Sequence, residues 1–160
     1  MSYLVSFRDG RIAIRASAKA AALGELMSIA ADGRLAGDES TALRRAVLHA
    51  GTLETALRAF GWDSYVDATG DVVNAWMTGD ELAYSEEMLR ALVSRIEPGS
   101  FVEFIGEDGD IWRWSFTGRH MIETYPELLW PPTSTGRWAR ALQVLRARAA
   151  ALRVRRRAAP

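Results

Sequence analysis

The chain predicts an α+β fold: an antiparallel sheet of hairpins packed against several helices, with an amphipathic basic helix at the C-terminus. Three observations predict it. Alternating apolar stretches come in pairs around glycine turns, most plainly over residues 99–116. Helical repeats of Leu, Met and Val run between those pairs without the strand–helix–strand alternation that builds parallel sheets. Charge is also segregated along the chain. Residues 1–127 hold 20 carboxylates against 12 Lys and Arg, a net of −8, whereas residues 128–160 hold eight arginines and no acid, a net of +8.

Taken in order, Tyr3, Val5 and Phe7 alternate with small or polar residues up to Asp9-Gly10. Ile12 and Ile14 continue the alternation, which predicts an N-terminal hairpin with a two-residue turn. Ser17 is placed to cap a helix whose Leu23, Leu26, Met27 and Ala30 share one face, ending before Gly33. Asp38 is placed to cap a second helix through Leu43, Val47 and Leu48, broken at Gly51. Thr52 then caps a short third helix through Leu57 and Phe60, closed by Gly61. Residues 62–67 and 72–77 read as a strand pair around Thr69-Gly70. Ser85 opens a helix with Met88, Leu89, Leu92, Val93 and Ile96 on one face, stopped by Pro98-Gly99.

In GSFVEFIGEDGDIWRWSF (99–116), the tripeptide Glu107-Asp108-Gly109 fits a three-residue loop with glycine in the left-handed position. That register sets Phe104 opposite Trp112 and Val102 opposite Trp114, an apolar face, and Glu103 opposite Arg113 on the other. Tyr125 and its neighbours are expected to add a strand after the Gly118 turn. Gly106, Glu107, Asp108, Gly109, Trp112, Arg113, Trp114 and Phe116 together spell G-E-D-G-x-x-W-R-W-x-F. This resembles a G-E-D-G-x-x-W-R-[WY]-x-F hairpin carried by uncharacterised small bacterial proteins. The resemblance covers about residues 86–116; it implies an autonomous fold and carries no functional residue across.

Three organisational segments follow from composition: an acidic α+β body over 1–127, a Pro-rich linker over 128–136, and a basic amphipathic helix and tail over 137–160, all within a single domain overall. Trp138, Leu142, Leu145, Ala149 and Leu152 advance in steps of four, three, four and three, a stripe flanked by arginines that something must cover. The body's matching −8 makes packing on it, within one chain or across a dimer, the first expectation.

Composition also sets limits on chemistry. There is no cysteine, so disulfides, thiolate metal sites and cysteine nucleophiles are excluded. Met1-Ser2-Tyr3-Leu4-Val5 lacks a basic n-region, so no signal peptide is expected, and no apolar run approaches the roughly 18 residues of a membrane span. Nineteen of the 20 basic residues are arginine, which with the alanine-rich tracts points to a GC-rich bacterial or phage coding sequence. A cytoplasmic protein is expected. His49 and His120 share no element with a ligand-spaced partner, and Ser100 and Ser115 have no neighbouring histidine, so all four read as structural. Glu86 and Glu87 sit where a helix dipole favours acids. No phosphate-binding glycine motif occurs. No metal, cofactor or catalytic residue is expected.

The features left over suit binding. Glu107, Asp108 and Asp110 form a candidate acidic loop. Trp130, Arg137, Arg140, Arg146, Arg148, Arg153, Arg155, Arg156 and Arg157 are candidate partner-binding residues. The expected function is that of a non-catalytic protein-binding module of the immunity-protein, antitoxin or phage–host adaptor type, acting by stoichiometric association. Its partner is expected to be another protein, with a homodimer through the C-terminal helix as one form of it. Nucleic acid held by the arginines ranks second, an enzyme with a site scattered through the sequence third, and membrane binding last.

Overall fold

The computed structural model describes residues 3–35 and 40–127. These belong to one compact unit, Met1–Pro126, except for Glu127. The expected Asp38 cap, the 128–136 linker, the 137–160 helix, Trp130 and all eight C-terminal arginines lie outside the described residues.

Among the described residues ten regular elements follow one another: β1 (Val5–Arg11), α1 (Lys19–Ala31), α2 (Ser40–Leu48), α3 (Leu53–Ala59), β2 (Trp62–Val66), β3 (Val72–Met77), α4 (Ser85–Leu92), β4 (Phe101–Gly106), β5 (Ile111–Phe116) and β6 (Met121–Thr124). A single 3-10 turn, Ala16–Ala18, precedes α1. The strands form a four-stranded sheet, ordered β1-β4-β5-β6, and a separate ribbon of β2 and β3, with every pairing antiparallel. The α+β class and the antiparallel sheet are as expected.

The β4–β5 register is the one the sequence predicts. Phe104 faces Trp112, Val102 faces Trp114 and Glu103 faces Arg113. Gly109 closes the loop at φ 87°, and Gly106 N–H donates to the Asp110 carbonyl at 2.9 Å. The β2–β3 pair, with Gly70 at φ 87° in its turn, and the Thr52 cap, whose Oγ1 accepts from Thr55 N at 3.2 Å, also agree. β6 forms after the Gly118 turn, and Tyr125 lies just beyond its end.

The N-terminal hairpin does not form. β1 runs straight through Asp9-Gly10 and pairs with β4, far along the chain, with a register shift between Phe7 and Asp9. Arg8 is the extra residue of the bulge, and Asp9 and Gly10 continue the ladder opposite Glu103 and Val102. Gly10 is required there, because an added Cβ would stand 3.0 Å from the Phe101 carbonyl and 3.1 Å from the Phe7 ring. Ile12 and Ile14 are buried, but Ile14 bridges to Val72 of β3, which ties the ribbon to the sheet through paired bonds of 2.8 and 2.9 Å.

Two smaller corrections concern the helices. Ser17 makes no cap; α1 begins after Ala18, and it buries Ala22, Leu26, Ile29 and Ala30, leaving Leu23 and Met27 half-buried. The buried face is rotated by about one position, taking in Ala22 and Ile29. On α2 Val47 is buried but Leu48 is exposed.

Trp62 lies at the centre of the core. It is fully buried, meets Phe7 and Phe104 edge-on at 6.5 and 6.4 Å, and donates its indole N–H to Ser85 Oγ at 2.9 Å. Phe104 in turn contacts Trp114 at 4.9 Å and Trp112 at 5.6 Å between ring centroids. The edge contacts of Trp62 with Phe7 and Phe104, and of Phe104 with Trp114, suit the ring quadrupoles. The apolar face of α4, with Met88, Leu89 and Leu92, completes this side of the core.

Candidate functional site

The acidic loop predicted from sequence is present at the β4–β5 turn, with Glu107, Asp108 and Asp110 all exposed. Its carboxylates do not act alike. Asp108 Oδ1 accepts from the Tyr3 hydroxyl and, at 3.1 Å, from the Asp110 backbone N–H, so it serves the turn. Among the described residues no hydrogen bond or ion pair engages the Asp110 carboxylate, and no three of His, Asp and Glu are grouped as metal ligands would be. His49 and His120 are exposed. Ser100 is buried and its Oγ accepts the Ala13 N–H at 3.2 Å, a structural role.

Asp110 faces a groove that sequence reasoning did not assemble. A depression of about 290 Å³ is lined by Tyr3, Leu82, Glu86, Asp110, Trp112, Trp114, Glu123 and Tyr125. Four separate stretches of chain build it. The segment before β1 supplies Tyr3, and the Leu4 carbonyl holds this segment on the turn by accepting the Glu107 N–H at 3.0 Å. The start of α4 and the loop before it supply Glu86 and Leu82. β5 and its turn supply Asp110 and the two indoles; β6 and the residue after it supply Glu123 and Tyr125.

The cause of the groove is the identity of residue 123. It pairs with Trp114, so it stands on the apolar face of the sheet, where strand alternation calls for a hydrophobic residue. A glutamate there cannot be sealed over. It instead accepts from Trp114 Nε1 and from the Tyr125 hydroxyl, each at 2.8 Å, one bond to each carboxylate oxygen. The sheet's edge therefore ends in aromatic rings and carboxylates rather than in packed apolar side chains. Tyr3 and Tyr125 form the open rim, at 45% and 64% exposure, while Trp112 and Trp114 are buried beneath.

Electrostatics follow this geometry. Bonding to Asp108 pushes the Tyr3 phenol up to about 12, and the same bond draws the Asp108 carboxyl below its ordinary range. Bonding to Glu123 likewise raises the Tyr125 phenol, and the charge of Asp110 raises both phenols further. Asp110 thus acts on both rims of the groove. Among the described residues three carboxylates and four aromatic rings line it, with no Arg, Lys or His. Glu86 is already paired with Arg90 at 2.7 Å, one turn along α4.

A second depression, of about 310 Å³, lies where Arg11, Arg15, Asp71, Glu97 and Ser100 meet at the junction of sheet and ribbon. Its formal charges cancel, two arginines against Asp71 and Glu97, and Arg15 is bonded to Glu97 at 2.7 Å. Among the described residues the aromatic groove keeps an acidic excess, and that distinguishes it.

Asp110 was legible in the sequence as part of an acidic turn. Tyr3, Glu123 and Tyr125 were not, since nothing local joins residues more than 100 positions apart. One signal was available: Glu123 occupies an inward position in a strand whose register continues from β5. Comparison with protein-family models, with curated proteins and with solved structures returns no match.

Proposed function

We propose that this chain is a non-catalytic protein-binding module, acting by stoichiometric association in the manner of an immunity protein, antitoxin or adaptor, with the aromatic groove at the β5–β6 edge as its recognition surface. The rim carries this reading. Tyr3 and Tyr125 present amphipathic rings to solvent above buried indoles, and each phenol is oriented by a carboxylate. Tyr and Trp are the side chains that interfaces enrich, because they offer large contact area at small entropy cost. Orienting the phenols in advance reduces that cost further.

The test is capture from the native host on immobilised full-length chain, followed by light scattering of the purified complex. The expected result is a defined 1:1 or 2:2 complex that wild type forms and Tyr125→Ala does not. Capture that is indifferent to Tyr3→Ala and Tyr125→Ala would move recognition off the groove.

The arginine excess of residues 128–160 favours one competing reading, association with nucleic acid through Arg137, Arg140, Arg146, Arg148, Arg153, Arg155, Arg156 and Arg157. Phosphate neutralisation makes such binding steeply salt-dependent. Retention on duplex DNA that falls sharply between about 50 and 200 mM salt, and is lost when these arginines are replaced, would support that reading over the first.

A further inference from the structure

Resting on the binding-module reading, we infer that the groove recognises arginine side chains in a basic segment of the partner protein, with the guanidinium seated between the Asp110 carboxylate and the Tyr3, Trp112 and Tyr125 rings.

Charge complementarity comes first. Among the described residues the lining holds Glu86, Asp110 and Glu123 and no basic residue. Glu86 is occupied by Arg90, and Glu123 already accepts from Trp114 and Tyr125. Asp110 is the carboxylate left over: it is exposed, lines the groove together with both rim tyrosines, and is engaged by no side chain among the described residues. Among the described residues no cation answers it.

The surrounding rings select which cation. A guanidinium is planar and weakly hydrated, so it stacks on aromatic faces while its N–H fork meets a carboxylate; a lysine ammonium is compact and strongly hydrated. At about 290 Å³ the groove admits an extended side chain rather than a folded element.

The same molecule already contains the arrangement elsewhere. On the opposite face of the hairpin the Arg113 guanidinium lies 4.4 Å from the centroid of the Phe101 ring and is bonded to Glu103, which also accepts from Arg8 at 3.0 Å. There an aromatic ring and a carboxylate hold an arginine supplied by the chain. In the groove the ring and the carboxylate are present, and the partner supplies the arginine.

The experiment titrates the full-length chain calorimetrically with three acetylated, amidated Gly/Ser peptides, carrying two arginines, two lysines or two citrullines. Citrulline keeps the shape of arginine and removes its charge. The arginine peptide is expected to bind about 10-fold more tightly than the lysine peptide, with the citrulline peptide showing no measurable heat. Asp110→Asn should weaken the arginine peptide about 10-fold while leaving the melting temperature unchanged, since only the Asp110 backbone serves the turn. Equal binding of arginine and citrulline peptides, or an indifferent Asp110→Asn, overturns the assignment. So does absence of binding, and self-association abolished by Asp110→Asn would then give the groove to arginines of a second copy. The two readings fail separately. A host partner captured equally by wild type and Asp110→Asn keeps the binding module and removes the arginine; a wild-type chain that captures no partner and stays monomeric removes the module.

Discussion

Single side chains carry the most consequential interactions in this fold, and Trp62 with Ser85 is the central case. Both are fully buried, and the indole N–H has the Ser85 hydroxyl as its acceptor. Ser85→Ala removes the acceptor without creating a large cavity, so the cost is that of a stranded buried donor, about 1–3 kcal/mol. Urea denaturation checks it, and a loss below about 0.5 kcal/mol would mean that water reaches the indole. The groove offers a spectroscopic counterpart. The Tyr3 phenol is pushed up to about 12 chiefly by its bond to Asp108. In an absorbance titration of phenolate formation, Tyr3 should ionise well above the usual value of about 10, and Tyr125 should also be raised. Asp108→Asn should bring the Tyr3 step down, because the charge that disfavours phenolate is gone. Neither pairing was legible in the sequence: 23 residues separate Trp62 from Ser85 and 105 separate Tyr3 from Asp108. Only tertiary folding brings them together.

Elements divide by how local their determinants are. The β4–β5 hairpin could be read to the residue because its turn, its apolar face and its ion pair all lie within 18 positions and favour one register. β1 was misread for the opposite reason. Asp9-Gly10 between alternating apolar residues satisfies every local criterion for a hairpin, yet the strand finds its partner about 95 positions later in β4. The contact decides between the two. With Gly10 against the Phe101 carbonyl and the Phe7 ring, Gly10→Ala should destabilise by about 1–3 kcal/mol, the range for overpacking a site whose backbone cannot yield. In a free two-residue turn the glycine would be needed for its positive φ, but Gly10 is not among the glycines that adopt one. The hairpin supplies the matching contrast between faces. Trp114→Ala, at a nearly fully buried indole, should cost about 3–5 kcal/mol. Glu103→Ala should cost about 1 kcal/mol, at the upper end for a surface pair, because Glu103 is only 13% exposed and serves both Arg8 and Arg113. Paired denaturation curves check both; equal losses would mean that the two faces are not distinguished as the register requires.

At the scale of the molecule, acid should unfold this protein through its turns. Among the described residues four carboxyls are held below their ordinary values of 3.8 for Asp and 4.5 for Glu. One is Glu54, where burial pushes up but the bond from Lys19 prevails. The other three lie at turns and junctions: Asp67 is held by the Thr69 hydroxyl, Glu97 by the Arg15 guanidinium and Asp108 by the Tyr3 hydroxyl. Each of these three pins a junction: Asp67 the β2–β3 turn, Glu97 the approach to β4, Asp108 the β4–β5 turn. A carboxyl whose pKa is lower folded than unfolded binds its proton more weakly in the native state. Its contribution is therefore complete above the unfolded value and disappears as pH falls through the lower folded one. The melting temperature should stay level from about pH 7 to about pH 5 and then fall steeply below about pH 4. Asp67→Asn and Asp108→Asn should each lower the neutral-pH plateau and flatten the acid limb, because an amide has no proton to take up. Salt separates the causes. Glu97 and Arg15 are exposed ionic partners, so 1 M NaCl should weaken their share. Asp67 and Asp108 act through hydrogen bonds at contact distance, and their part of the acid limb should persist. Calorimetric scans of wild type and both variants at low and high salt test this, and an acid limb abolished by salt alone would assign the loss to Glu97 and Arg15 rather than to the two turns.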